Sequence, residues 1–545
     1  MKTACNLKLI FRLAVFAALA SCLRAAEDAS RPVVELPKFV VNDSRILPKP
    51  ESWRYGTLPG IEVLSNVSDR QTQRILTTFQ RFRQVLDVVS VAPNRDNVPL
   101  LLVLSRVGSA FDEQMLGDTS AENVPNSGMF KGRNRGAIVV SVGAGVMPDQ
   151  ELTSRYVRFL LSLGETQLPA WFEEGVMRVV TDIEFDDTMI DVGRAERFLV
   201  FFQSDGAEST QEGPPRAFLP FGEFLAMPPS RGPAPGAALG DESSVHVETS
   251  NARQIWANQA HAFVHLCLFG EGGKWRKPLA KFLMRTENEP VSEAVFQECF
   301  GLNYRKMATH LRSYIDMTDH ELKQFKAKKG HGLQPVPPVP LREATQSEIG
   351  RIKGEALLLA GANQQARSAM IAPYVRGERD ADLLAALGGI EEMDEKPERA
   401  AKFYEAAVVG KTRDPQAYLA VARSRYTKAV MAPAGPGGKF SKEQTAGIVD
   451  LLLAASARPP TNLATYELLV DTFARSSVDP TPDQVALLIR VAIHFPGQMK
   501  IVYAAAAFSM DAGLRTEAGK LIEHGLKYAP DAATRANFEA LKKKM

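Results

Sequence analysis

The chain has 545 residues, 45% of them hydrophobic and 23% charged, with a formal net charge of +2. That is enough chain for several domains with sizeable cores, at an ordinary globular composition. The near-neutral balance excludes a strong electrostatic draw toward nucleic acid or anionic membrane, and no segment beyond the N-terminus is long and apolar enough to cross a bilayer.

Lys2, Lys8 and Arg12 precede the apolar run Leu13–Ala20, which is too short to span a membrane and reads as a signal-peptide core. Residues 1–26 are therefore expected to be an export signal. Leu19-Ala-Ser-Cys22 resembles a bacterial lipobox, which implies lipidation at Cys22; ordinary cleavage after Ala20 or near Ala25 is the competing reading. The expected location is the periplasm, or the outer membrane through a lipid anchor. Of the four cysteines, Cys5 would leave with the signal, and Cys22 would be lipidated or lost nearby. Cys267 and Cys299 remain, either as one disulfide or as two free thiols.

Residues 27–50 contain prolines without a sustained period and read as a tether. Tyr55–Ser65 predicts a strand or hairpin, and the spacing of Ile75, Phe79, Phe82 and Leu86 predicts a helix from Asp69, with Asp69 as its cap. Val98–Ser105 and Gly136–Val142 are continuous apolar runs, candidate buried strands. Glu151–Leu163 and Leu168–Val180 read as helices, which makes the opening α+β. Pro229–Gly240 is a loop by composition; helical patterning returns at Ala252–Phe269, Lys277–Arg285, Val291–Phe300 and Tyr304–Ile315. Gln334-Pro-Val-Pro-Pro-Val-Pro340 reads as a stiff linker and the clearest domain boundary.

Beyond Arg342 the pattern is helical throughout. Asp380 to Asp414 and Pro496 to Pro530 are each 34-residue steps ending in an amphipathic helix and a turn. That period resembles the tetratricopeptide repeat; the alternative is an irregular helical array. Either predicts stacked helices presenting a surface for a protein or peptide partner.

The chemistry turns on residues 154–175. Leu168-Pro-Ala-Trp-Phe-Glu-Glu-Gly175 is similar to the helix that supplies the third metal ligand in gluzincin peptidases. Trp256–Gly270 and Cys299–Tyr314 are similar to later helices of the same fold, so residues 51–320 resemble the peptidase MA-like superfamily. That resemblance implies a His-Glu-x-x-His helix just upstream, with two imidazoles one turn apart on zinc and a glutamate as base. Here Ser154 stands at the first ligand, Arg155 at the base and Arg158 at the second ligand. Two cations facing the metal position would repel Zn²⁺. A repair by ion pairing is expected, with Arg155 or Arg158 meeting Glu173 or Glu174.

The expected layout is thus 1–26 signal, 27–50 tether, 51–320 a degenerate gluzincin-like α+β domain, 321–344 linker, and 345–545 an all-α tetratricopeptide-like array. The expected function is non-catalytic, with no cofactor and with Ser154, Arg155, Arg158, Trp171, Glu173 and Glu174 lining a ligand cleft. Membrane contact is expected only through a lipid anchor, and nucleic acid is not an expected partner. One alternative is a zinc hydrolase with an unconventional site at His261 and His265, which have the i, i+4 spacing of ligands but Ala262 where a base would stand. Another is a structural cell-envelope scaffold.

Overall fold

The structure, a computed structural model, describes residues 35–39, 47–89, 98–117, 126–132, 134–143, 147–163, 168–193, 218–228, 243–287, 289–317, 320–326 and 332–545. The expected signal segment 1–26, with Cys22, and the expected Pro229–Gly240 loop lie outside the described residues. Two compact units divide the rest. One holds the described residues of 43–378 with 456–463; the other holds 35–39, 379–455 and 464–545.

The first unit opens with a hairpin, β1 (Arg54–Leu58) and β2 (Ile61–Ser65), paired antiparallel. Its two-residue turn contains Gly60 at φ 73°, a conformation that glycine adopts without a Cβ clash. Helix α1 (Asp69–Val89) follows. Its entry is capped by Ser68, whose Oγ accepts from the Gln71 amide, while the expected cap Asp69 instead takes a bidentate bond from Arg54. Then come β3 (Leu100–Arg106), α2 (Ala110–Leu116), β4 (Ser127–Lys131), β5 (Gly136–Val142), α3 (Pro148–Ser162) and α4 (Ala170–Thr181).

With β9 (Arg342–Glu343), these strands form a mixed sheet in the order β4-β5-β3-β2-β1-β9. β2, β3 and β5 run parallel; the two end strands are antiparallel to their neighbours. The apolar runs of β3 and β5 are continuous because both faces of the sheet are covered. Leu102, Leu104, Ile138 and Val140 meet Ile75 and Phe79 of α1 and Tyr156 and Phe159 of α3. Leu101, Val103, Ala137 and Val139 meet Phe111 and Met115 of α2 on the other face.

That second face is completed by a helix the sequence assigns elsewhere. α10 (Gln346–Leu359) buries Ile349, Ile352 and Ala356 against it, and α11 (Asn363–Val375) lies against α10. The first compact unit accordingly runs on to Glu378. The proline segment is therefore no boundary. Val339 is buried in the core beside α1, and its peptide group exchanges two hydrogen bonds with the Gln73 side chain. Arg351, only 2% exposed, anchors α10 through both oxygens of Glu62 on β2, at 2.7 and 3.0 Å.

The rest of this unit is a small antiparallel sheet, β6 (Glu184–Phe185), β7 (Met189–Val192) and β8 (Lys323–Lys326), and a helical layer. The layer comprises α5 (Phe221–Ala226), α6 (Ser243–Gly273, broken at Gly270), α7 (Arg276–Thr286), α8 (Glu293–Phe300) and α9 (Tyr304–Ile315), which with α4 enclose a third, aromatic core.

The second unit is helical: α12 (Ala381–Met393), α13 (Pro397–Val409), α14 (Pro415–Met431), α15 (Lys442–Ser456), α16 (Leu463–Arg475), α17 (Pro482–His494), α18 (Met499–Asp511), α19 (Arg515–Tyr528) and α20 (Ala532–Lys543). Asp380, Asp414 and Asp531 cap α12, α14 and α20, as their turn positions suggest. Within the expected tether of 27–50, residues 35–39 lie on α13 and the Pro48 carbonyl accepts from Arg376; Glu51, just beyond it, bonds to Gln346 and Lys353. No described helix is long and apolar enough to cross a membrane.

The placement of α10 gives a direct test. A chain ending at residue 344 leaves Leu101, Val103 and Val139 uncovered and is expected to aggregate or to melt without cooperativity. One ending at residue 378 is expected to unfold in a single transition. Circular-dichroism melts of the two truncations distinguish this from a boundary at the prolines.

Candidate functional site

The site is built where α3 and α4 meet above the sheet. On α3 the residues at 154, 155 and 158 fall within one turn. On α4 the residues at 171, 174, 175 and 178 recur at helical spacing. A Cβ at Gly175 would lie 2.6 Å from the Ala260 carbonyl and 2.4 Å from Val264, so only glycine lets α4 approach α6 this closely. The close approach brings Asn258 of α6 into the site.

Glu174 is 7% exposed, and an isolated buried carboxylate there would be costly. Two arginines compensate it. Arg158 of α3 bonds its Oε2, and Arg178, one turn on along α4, donates Nε to Oε1 at 2.7 Å. Arg158 also stands 3.6 Å from Glu173 Oε1, and Arg178 donates to Asn258 Oδ1 at 3.2 Å. Burial opposes charge on Glu174, but Arg158 and Arg178 together outweigh it and hold the carboxyl below its ordinary range. Glu173 goes the other way: burial raises it, assisted by Glu174 and opposed by Arg158.

The remaining residues take different places. Arg155 does not reach either glutamate; its Nε donates to Ser127 Oγ of β4 at 2.8 Å, and that hydroxyl donates to Glu151. Burial lowers the Arg155 guanidinium from its ordinary value, with Glu151 opposing. Ser154 is half-buried on α3 and bonds to neither glutamate. Trp171 lines no cleft. It is fully buried, with Phe263 and Phe172 at ring distances of 5.4 and 5.7 Å, because the helical layer closes over that side of α4. Arg178, Asn258, Ser127 and Glu151 went unread in the sequence; only Arg178 carried a local signal, its i, i+4 spacing from Glu174.

The histidine pair is not arranged for metal. His265 is fully buried, with Nε2 2.6 Å from the Gly193 carbonyl and Nδ1 2.8 Å from the Tyr314 hydroxyl. A carbonyl only accepts, so Nε2 carries the proton and the Nδ1 lone pair accepts from Tyr314. Neither nitrogen is left for a metal. Burial pushes the His265 pKa down to about 4, so the ring is neutral at physiological pH. His261 stands 3.7 Å from the buried Asp182, and the two imidazole rings are 6.4 Å apart with planes at 75°. Among the described residues no three His, Cys, Asp or Glu side chains gather as a metal site. Cys267 and Cys299 are free thiols, the first buried and the second half-buried.

No protein-family model matches this chain, and no curated protein matches it.

Two pH-dependent outcomes follow. Glu174→Gln removes a carboxylate whose folded-state pKa is lowered, so the stability it contributes is present at neutral pH and is lost as pH falls through that lowered value. The variant should unfold about 2–3 kcal/mol more easily at pH 7, less than for a fully buried pair because both arginines are partly exposed. Its deficit should shrink as the wild type is acidified below the carboxylate range, read by denaturant titration at several pH values. His265 acts through the opposite kind of group. Its folded pKa of about 4 lies below the ordinary 6.5, so the unfolded chain takes up the proton first and stability falls as pH drops between those values. His265→Gln should flatten the melting-temperature profile over that interval.

Proposed function

We propose that this chain is a non-catalytic exported protein of the cell envelope. In this reading a degenerate gluzincin-like domain is joined to a tetratricopeptide-like helical array that binds a protein or peptide partner. The observation that carries the first half is the Arg158 guanidinium bonded to Glu174 and close to Glu173. It holds the carboxylate that the likeness assigns to zinc, and Arg178 holds the other oxygen. A dication would have to displace both arginines from a buried acid. The basic, apolar-cored N-terminal segment supports export. For the array, α12 and α14 begin 34 residues apart, at Ala381 and Pro415, and α18 and α20 begin 33 apart, at Met499 and Ala532. Recurrent helix starts at that interval support a repeat.

The zinc-hydrolase alternative loses support from His265, whose ring nitrogens are both engaged.

Metal content tests the reading. The full chain purified without chelators should hold no stoichiometric zinc by plasma mass spectrometry and should not hydrolyse peptides; about one zinc per chain overturns the proposal. The likeness itself has a separate test in Ser154→His/Arg155→Glu/Arg158→His, which restores the full ligand pattern beside Glu174. That variant should acquire about one zinc per chain, and a folded variant that takes up none refutes the gluzincin likeness.

A further inference from the structure

A segment of the chain's own N-terminal part packs on the helical unit. Residues 35–39, Glu-Leu-Pro-Lys-Phe, are neither helix nor strand and lie on α13. Pro37 is buried, Lys38 is exposed and Phe39 is half-buried, the alternation of an extended chain laid on a surface. Three features receive it. The Phe39 ring stacks on Phe403 at 5.9 Å with planes 17° apart, and Phe403 is itself fully buried. The Arg399 guanidinium lies 5.1 Å from the Phe39 ring centre, a cation over an aromatic face. Arg399 also donates from Nη1 to the Lys38 carbonyl at 3.2 Å.

What makes this a built site is the residue behind Arg399. Glu391 of α12 is fully buried, and its carboxylate takes Arg399 Nε at 2.6 Å and Nη2 at 3.4 Å. The fork thus fixes the plane of the guanidinium and leaves Nη1 to meet a backbone carbonyl. The Tyr404 hydroxyl of α13 also donates to Glu392 of α12 at 2.8 Å, a second tie between the two helices.

We propose that α12 and α13 carry a recognition site for an extended peptide bearing proline two residues before an aromatic, that the chain's own Pro37–Phe39 occupies it in cis, and that a partner's Pro-x-aromatic segment must displace this occupant to bind. The proposal rests on the reading of the array as a peptide binder and names both the sequence class and the competitor. Specificity has a source in each contact: the ring stack and the cation require an aromatic at the third position, the carbonyl bond fixes chain direction, and the buried Pro37 suits a residue already restricted to extended geometry.

A fluorescein-labelled peptide with the sequence of residues 33–41, titrated into the full chain and followed by fluorescence polarisation, tests this. A tethered occupant at an effective concentration of about 1 mM weakens a competitor of about 0.1 mM intrinsic affinity by about tenfold. Phe39→Ser, which removes the occupant's ring from a segment outside any helix, should therefore bind the peptide about tenfold more tightly than wild type. Arg399→Lys added to Phe39→Ser keeps the charge beside Glu391 but loses the fork, and should cut that binding about tenfold with helical circular dichroism unchanged. A peptide with Ser in place of its aromatic should bind neither chain. Equal binding to wild type and Phe39→Ser, no binding to Phe39→Ser at 1 mM peptide, or indifference to Arg399→Lys each overturns the proposal. None of these outcomes bears on zinc content, so failure here leaves the non-catalytic reading standing, and zinc in the chain would leave a positive peptide result standing.

Discussion

A carboxylate at the join of α3 and α4 must be compensated, and everything at the candidate site follows from how that is done. Glu174 faces inward because Gly175 presses α4 against α6, and there is too little water at that depth to solvate a bare charge. In a metal enzyme a dication answers this need. Here two guanidiniums do, one from each helix, and Asn258 steadies the second. The arrangement ties α3 to α4 through the chain's own side chains.

The same logic of covering and compensation organises the sheet. β3 and β5 are apolar on both faces, so each face needs its own helical layer. α1 and α3 supply one; α2 and α10 supply the other. α10 is separated from β2 by nearly the whole first unit in sequence, yet Arg351 and Glu62 join them by a buried, bidentate ion pair. The proline segment leads into α10 with Val339 buried on the way and bonded to Gln73 of α1. Stiffness and separation are different properties. Prolines announce the first and do not establish the second.

In the helical unit the notable feature is also a compensated buried acid. Glu391 fixes Arg399, and Arg399 meets the chain's own N-terminal segment. Both units thus use a buried glutamate to set an arginine in a chosen plane. At α3–α4 the arginine is consumed within the fold. At α12–α13 it retains a donor that meets the Lys38 carbonyl and a flat face that meets the Phe39 ring.

The sequence by itself determined the local elements. The Tyr55–Ser65 stretch and unbroken apolar runs marked β1–β3 and β5, and helical patterning marked α1, α3 and α4. These signals are short-range, so a linear reading captures them. Only the tertiary structure decided which arginine meets Glu174, since Arg155 and Arg158 lie within one turn and differ by less than a full rotation of the helix. It also decided that Trp171 belongs to the core, that His265 is saturated by Gly193 and Tyr314, and that α10 belongs to the sheet. Each of these depends on partners distant in sequence, such as Gly193 with His265 and Glu62 with Arg351. A helix carries no mark in its own residues of the surface it will cover, because apolar periodicity states that one face is buried and leaves the partner to the fold.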